Sequence, residues 1–313
     1  MRIVFMGTPE FAVPSLRALC EGGYEVVGVF TQPDRPKGRG NKVVASPVKQ
    51  YAVEKGIQVF QPQRIRKDGV EDLKALAPDL CVTAAFGQIL SQEILDIPRI
   101  GTVNVHASLL PRHRGSAPIN WAILQGDTTV GVTTMMTDRG IDTGDMLLKA
   151  QTPYIPGETA GELTLRLAEL GASLLIDTLR QLEAGTLTRI PQDEAQMTYD
   201  PMLTKEMGIV DWTQRAVDIV NRIHGLNPWP GCSTAIDGGR LKLLRAERTD
   251  GAGRPGEIIT ADARQGLVIA AGEGAVCVKE LQAPGGKPMS SKDYLRGHPM
   301  QVGTVLKEEN VDA

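Results

Sequence analysis

The sequence predicts an α/β fold, with a Rossmann-like, mostly parallel sheet in residues 1–186 and a smaller β-barrel of the oligonucleotide-binding (OB) type in residues 206–313. In the first part, short apolar runs alternate with stretches of helical periodicity, as in sheets whose parallel strands are joined by helices. Residues 187–205 are polar and lack a clear period, which indicates a linker. Beyond them, one helical stretch precedes five short apolar runs separated by Gly-, Asp- and Pro-rich turns, a pattern typical of a small barrel.

The chain begins with a predicted strand–turn–helix unit. Residues 2–6 form an apolar run, and Thr8 with Pro9 has the pattern of a helix cap followed by a first-turn proline. A dinucleotide site would need the G-x-G-x-x-G fingerprint here, but Thr-Pro-Glu follows Gly7. We therefore exclude a nicotinamide-dependent oxidoreductase.

Residues 32–42 are predicted to form a loop rich in proline, glycine and basic side chains. The loop holds four cations against one acid, Asp34. Its composition fits a solvated surface loop, and it equally fits a flexible basic arm that lies on phosphates. Its basic residues are Arg35, Lys37, Arg39 and Lys42.

Asn104 and His106 are the first candidates for catalysis. Side chains alternate along a strand, so Val103 and Val105 face one way while Asn104 and His106 face the other. Open α/β sheets bind ligands just outside the carboxyl ends of their strands. An amide and an imidazole can both donate to a developing oxyanion, and the imidazole can carry a proton, which suits acyl transfer. For this triplet alone, polar residues that merely cap a strand end are the more common explanation.

A second polar stretch, residues 138–145, strengthens the case for catalysis. It places Asp142 between two glycines, which implies a sharply turned loop that brings a short carboxylate close to another group. A carboxylate beside an imidazole favours the protonated ring and fixes its tautomer. With Asn104 and His106, Asp142 would form a site in which an amine attacks an acyl carbon without a covalent enzyme nucleophile.

These motifs resemble those of the folate-dependent formyltransferases. The N-x-H-x-S-L-L-P segment at 104–111, followed by D-T-G-D at 142–145, is specific to that superfamily. The similarity extends to 7–11, to the basic loop at 31–40 and to N-P-W-P at 227–230, and so covers essentially the whole chain. The basic loop and the N-P-W-P segment resemble, more specifically, those of family members that act on tRNA.

The resemblance implies formyl transfer from 10-formyltetrahydrofolate to the α-amino group of methionyl-initiator-tRNA, in a formyltransferase domain followed by a tRNA-binding OB-like domain. On pattern alone, the two leucines of the N-x-H-x-S-L-L-P segment could equally belong to the core. The residues that the resemblance assigns are Asn104, His106 and Asp142 for catalysis, Ser108, Leu109, Leu110 and Pro111 for the folate donor, and Lys37, Arg39 and Lys42 for tRNA.

Composition and residue spacing limit the partners, metal sites and cellular locations that the protein can have. A net charge of −3 gives no global sign of a nucleic-acid partner, so RNA would have to bind at local basic patches. The four cysteines and four histidines lack the spacings of a disulfide framework or a metal site, so we expect free thiols and no metal. No apolar run approaches ~18 residues, and no secretory pattern precedes the first strand. We expect a bacterial-type cytoplasmic monomer, without a membrane or an obligate protein partner.

Two other functions fit part of the sequence. A formyltransferase with a small acceptor, as in purine or nucleotide-sugar pathways, would use the same catalytic motif but would leave the basic loop and the β-rich second domain unexplained. An RNA-binding protein with a vestigial α/β domain would explain the basic residues but not the intact catalytic motif. The basic residues suited to contact with RNA in the second domain are Arg240, Lys242, Arg245 and Arg248.

Overall fold

The computed structural model describes residues 1–37, 42–236 and 239–306, and the side chains of Lys37 and Lys42 are outside that description. Contacts divide the chain into two compact units. The first unit comprises Met1–Gly115, Val130–Thr152 and Thr164–Tyr199, and the second comprises Ser116–Thr129, Pro153–Leu163 and Asp200–Ala313.

Strands and helices occur in both units. The strands are β1 (Arg2–Gly7), β2 (Glu25–Phe30), β3 (Arg35–Lys37), β4 (Lys42–Val44), β5 (Val59–Phe60), β6 (Leu80–Ala84), β7 (Gly101–His106), β8 (Arg114–Gly115), β9 (Thr129–Met136), β10 (Met146–Pro153), β11 (Tyr199–Asp200), β12 (Cys232–Ile236), β13 (Gly239–Thr249), β14 (Ile258–Asp262), β15 (Gly266–Ala270), β16 (Ala275–Gln282) and β17 (Met289–Ser290). The helices are α1 (Val13–Glu21), α2 (Pro47–Glu54), α3 (Ile65–Asp68), α4 (Val70–Leu76), α5 (Gln92–Leu95), α6 (Pro118–Leu124), α7 (Ala160–Ala184), α8 (Ala216–Gly225) and α9 (Ser291–Gly297).

The first unit is organised around one sheet. Within the described residues it has seven strands in the order β10-β9-β7-β6-β1-β2-β5. The pairs β2–β5, β1–β2, β1–β6 and β6–β7 are parallel, whereas β7 and β9 are antiparallel. The central strands β1 and β6 are almost continuously buried, as expected of parallel strands that are covered on both faces. The predicted mostly parallel α/β sheet is therefore confirmed.

The turn after β1 differs from the sequence prediction, because Thr8 does not cap the following helix. Its hydroxyl instead donates to the carbonyl oxygen of Phe86, 3.0 Å away. A 3₁₀ turn at Glu10–Ala12 intervenes, and α1 begins at Val13 with Pro14 in its first turn. The threonine thus joins the turn after β1 to the loop after β6, a tertiary contact that local sequence does not reveal.

Residues 32–42, predicted as a loop, contain a short antiparallel hairpin. Strands β3 and β4 form it, with Lys37 opposite Lys42. At its base, Asp34 accepts a hydrogen bond of 2.6 Å from the ammonium group of Lys49. This bond holds the pKa of Asp34 below its usual value. The hairpin is therefore anchored to the body of the first unit at its base.

The second unit contains a mainly antiparallel sheet. Its order in the described residues is β12-β13-β16-β15-β14, with β17 paired to β16. The five predicted short strands correspond to β12–β16, so the prediction of a β-rich second part is confirmed. Helix α8 packs on this sheet, and its buried residues Ile219 and Ile223 share one apolar cluster with Leu241 and Leu243 of β13.

Neither a membrane span nor a metal cluster is found in the described parts of the chain. No helix there is long and apolar enough to cross a bilayer. Across the same residues, no group of three or more His, Cys, Asp or Glu side chains is arranged to hold a metal ion.

Candidate active site

Asn104 lies near the carboxyl end of β7, at the edge of the sheet where α/β folds bind ligands. Thr83 of β6 is its partner in register, and the Thr83 hydroxyl donates to Oδ1 of Asn104 over 2.9 Å. Because the oxygen of the amide is held by Thr83, its nitrogen is directed away from that hydroxyl. Within the part of the chain that the structure describes, this nitrogen has no hydrogen-bond partner. It can therefore donate to a ligand.

His106 ends β7 and is only 6% exposed. Its Nε2 lies 2.9 Å from the carbonyl oxygen of His113, and Nδ1 lies 3.6 Å from Oδ1 of Asp142. Both ring nitrogens thus face oxygen acceptors. The structure therefore brings His106 and Asp142 together, and their catalytic role stays a prediction.

The loop that carries Asp142 follows a constrained path. Asp142 itself has φ of 54°, in the left-handed region that few non-glycine residues adopt. A Cβ atom added to Gly144 would lie 1.8 Å from the carbonyl oxygen of Met136, so only glycine fits there. The amide of Gly115 donates to Oδ2 of Asp142 over 2.9 Å. The sequence predicted that glycines turn this loop, whereas the left-handed turn is made by Asp142 and Gly144 provides space.

Gln192 holds this loop and is itself bonded by Arg114, although neither was predicted as a site residue. The side-chain amide of Gln192 donates to the carbonyl oxygens of Asp142 (2.7 Å) and Gly144 (2.8 Å) and accepts from Nε of Arg114 (2.9 Å). Arg114 is 2% exposed and forms two hydrogen bonds with Glu194, which lower the pKa of that carboxyl. Gln192 falls in the segment predicted as a linker, and nothing in its local sequence marks it.

The segment predicted to bind folate is only partly open to a ligand. Ser108 is 3% exposed, and its hydroxyl donates to the carbonyl oxygen of Arg112 over 2.7 Å. Leu110 is fully buried in an apolar cluster with two methionines, so its side chain packs in the core and is not available to the donor. Leu109 and Pro111 are partly exposed. Contact of this segment with the donor stays a prediction.

The predicted tRNA contacts of the first unit lie on side chains outside the described residues. Arg39 lies outside the described residues, as do the side chains of Lys37 and Lys42, whose backbones pair in the hairpin. In the second unit, Arg245 is ion-paired with Glu162. That arginine therefore has a structural partner and is not a free cation for a phosphate.

Two family matches span most of the chain. Residues 1–179 match the formyl transferase family, and residues 202–299 match the formyl transferase C-terminal domain. Asn104, His106 and Asp142 lie within the first match, whereas Gln192 lies between the two.

Proteins of closely similar sequence carry one name. The chain is 50% identical over 309 residues to a methionyl-tRNA formyltransferase of Geobacter sulfurreducens. The match covers 98% of this chain and 97% of that protein. It is also 50% identical over 313 residues to a methionyl-tRNA formyltransferase of Trichlorobacter lovleyi, with 100% and 99% covered.

Solved structures at lower identity share the fold. An N-formyltransferase from Helicobacter canadensis, in complex with folinic acid and dTDP-3-aminofucose, superposes with a TM-score of 0.65 at 18% identity, over 88% of this chain and 98% of that one. HypX from Aquifex aeolicus, in complex with tetrahydrofolic acid, superposes with a TM-score of 0.62 at 21% identity, over 94% of this chain. The chain spans 47% of the length of HypX.

Proposed function

The chain belongs to the formyl transferase family, and we propose that it transfers the formyl group of 10-formyltetrahydrofolate to the α-amino group of methionyl-initiator-tRNA. The observation that carries this proposal is the amide nitrogen of Asn104, which Thr83 orients at the ligand-binding edge of the sheet. Relatives that are half identical over their full length support the acceptor. The product, formylmethionyl-tRNA, would serve translation initiation in a bacterial-type cytoplasm, with the enzyme acting as a monomer.

The reaction requires a neutral amine, a donor for negative charge and a path for one proton. The donor supplies an activated formyl group. The α-amino nitrogen forms a bond to the formyl carbon while the bond between that carbon and the folate nitrogen breaks, and the proton that the amine loses passes to the folate nitrogen. An α-amino pKa of ~7.7–8 leaves a usable neutral fraction near pH 7.

The proposed roles follow from where each side chain lies. Asn104 would donate to the formyl oxygen as negative charge develops on it. His106 would add a second donor when its Nε2 exchanges the His113 carbonyl for the substrate. Asp142 would hold the imidazole and help to move the proton from the amine towards the folate nitrogen, through water.

The proposed binding surfaces are separate from these groups. The Ser108–Pro111 segment would contact the donor, chiefly through the partly exposed Leu109 and Pro111 and through its backbone. Lys37, Arg39 and Lys42 would contact the acceptor end of tRNA. In this assignment residues 1–186 form the catalytic domain, 187–205 the linker and 206–313 the OB-like tRNA-binding domain.

Transfer of labelled formyl groups tests the proposed reaction. The acceptors are charged initiator methionyl-tRNA, uncharged tRNA and glycinamide ribonucleotide, each with 10-formyltetrahydrofolate as donor. We expect label on the charged tRNA alone. Label on the small acceptor alone would keep the acyl-transfer site and refute the proposed acceptor, and no label on any acceptor would refute the reaction.

Substitution of Asn104 tests the site itself. Removal of one oxyanion donor costs roughly 100- to 1,000-fold in kcat, so we expect a loss of that order in Asn104→Ala, with a folded protein whose thermal unfolding midpoint falls by no more than about a few degrees, because the hydrogen bond to Thr83 is also lost. His106→Ala should also lose most of kcat. Near-normal turnover in Asn104→Ala would refute the assigned role.

A further inference from the structure

After α7, the chain crosses the first unit as a segment of residues 190–198, here called the strap. At its start, Ile190 and Met146 exchange two backbone hydrogen bonds of 2.9 Å, which fix the end of the Asp142 loop. Two residues on, the Gln192 side chain donates to two carbonyl oxygens within that loop. The first half of the strap therefore holds the loop that carries Asp142.

The second half of the strap holds the loop on the other side of His106. The hydroxyl of Thr198 accepts from the backbone amide of His113 over 2.8 Å, and its carbonyl accepts from the amide of Arg114 over 2.9 Å. The carbonyl of His113 is in turn the partner of Nε2 of His106. One segment thus holds the partners of both ring nitrogens.

Gln192 is the point where these two sets of contacts meet. Its amide nitrogen bonds the Asp142 loop, and its oxygen bonds Arg114, which lies next to His113 in the chain. Asp142 adopts a left-handed conformation, which Asp tolerates better than most residues but which still costs free energy, and hydrogen bonds from outside the loop help to offset that cost. No other described side chain donates to the Asp142 carbonyl.

We propose that Gln192 is a positioning residue that sets the placement of the Asp142 carboxylate relative to His106. Its effect on the reaction rests on the proposed formyl transfer, whereas its effect on the loop does not. The side chain acts through the backbone of the loop and has no contact with the reacting atoms.

Two substitutions separate its hydrogen bonds. Gln192→Met keeps a side chain of similar length and removes all three bonds. Gln192→Glu keeps an acceptor for Arg114 but turns a carboxylate towards two carbonyl oxygens. Because a misplacement of about 1 Å can cost as much as ~100-fold in rate, we expect kcat to fall roughly 10- to 100-fold in both variants, with KM for donor and tRNA nearly unchanged.

Gln196→Met is the matched control. Gln196 lies in the same strap, is exposed, and bonds Asp193 at 2.7 Å. Its substitution should leave kcat unchanged. An equal loss in the two methionine variants would contradict a specific role for Gln192.

A double-mutant cycle shows whether Gln192 acts through Asp142. In an Asp142→Asn background, Gln192→Met should cause little further loss, because residues that act as one unit are not additive. Losses that multiply would overturn the proposal, as would a Gln192→Met enzyme with unchanged kcat.

Hydrogen exchange tests the same inference without turnover. Backbone amides of residues 138–145 should exchange faster in Gln192→Met than in the wild type, and Gln196→Met should match the wild type. This result would support the positioning role even if the wild type transferred no formyl group to methionyl-tRNA. Unchanged exchange in Gln192→Met would overturn it, whatever the acceptor proves to be.

Discussion

At the scale of single residues, the orientation of Asn104 depends on one hydroxyl from the neighbouring strand. An amide can rotate to present either its oxygen or its nitrogen, and only the nitrogen can donate to a developing oxyanion. The bond from Thr83 occupies the oxygen and so selects the useful orientation. A preorganised donor of this kind needs no rearrangement as charge develops.

Thr83→Val tests this selection, because valine has nearly the same shape and no hydroxyl. The lost hydrogen bond is worth about 1 kcal/mol, so we expect kcat to fall roughly fivefold to tenfold, measured at saturating donor and charged tRNA. Thr83→Ser keeps the hydroxyl and should retain most activity. Equal activity of the valine and serine variants would show that Thr83 does not orient the amide.

At the scale of elements, helix α7 begins with a reciprocal cap. The hydroxyl of Thr159 accepts from the amide of Glu162 (3.3 Å), and the Glu162 carboxylate accepts from the amide of Thr159 (2.9 Å), as in a capping box. The same carboxylate pairs with Arg245 of β13. The Arg245 guanidinium and the Thr159 amide lower the pKa of Glu162 to about 2.

The lowered pKa of Glu162 predicts a loss of stability in acid. An unfolded glutamate titrates near ~4.3, so the stability that Glu162 contributes is present above that pH and is lost as pH falls through about 2. Because both side chains of the pair are partly exposed, we expect Glu162→Gln to lower the free energy of unfolding by no more than about 1 kcal/mol at pH 7.

Urea unfolding at pH 7 and at pH 2 checks this prediction. The difference between wild type and Glu162→Gln should shrink at the lower pH. Glutamine can still complete a capping box, so Glu162→Ala should be less stable than Glu162→Gln at both values. A difference between wild type and Glu162→Gln that does not change with pH would contradict the assigned ion pair.

At the scale of the whole molecule, mild acid should destabilise the second unit through His224. This residue of α8 is 3% exposed, and its Nε2 accepts from the amide of Ala246 in β13 over 3.3 Å. Burial lowers the pKa of His224 below its ordinary value. The neutral ring is therefore the form that joins helix to sheet, and the stability it contributes is present above ~6.5 and is lost as pH falls through the lowered value.

Tryptophan fluorescence can follow this loss, because all three tryptophans lie in the second unit. The free energy of unfolding of the wild type should fall between pH 7.5 and pH 5. His224→Gln keeps a neutral acceptor and should fall less over the same range. Parallel curves for the two proteins would show that His224 does not cause the pH dependence.

The sequence alone indicated that a mostly parallel α/β part precedes a β-rich part, and which polar residues share a face of β7. Strand alternation is a local property, so Asn104 and His106 could be assigned to one face without knowledge of their neighbours. The D-T-G-D segment likewise indicated a loop that carries a carboxylate. The five short strands of the second unit followed from apolar runs and turn residues.

Only the tertiary structure decided which distant groups hold these residues in place. Thr83 meets Asn104 because β6 and β7 pair in one register, and Gln192 meets Asp142 across 50 residues because the strap returns over the first unit. Local pattern predicted a helix cap at Thr8 and left Leu110 between a folate contact and the core; tertiary contacts join the Thr8 hydroxyl to Phe86 and bury the Leu110 side chain. Hydrogen bonds of this kind depend on the positions of whole elements, which no local periodicity encodes.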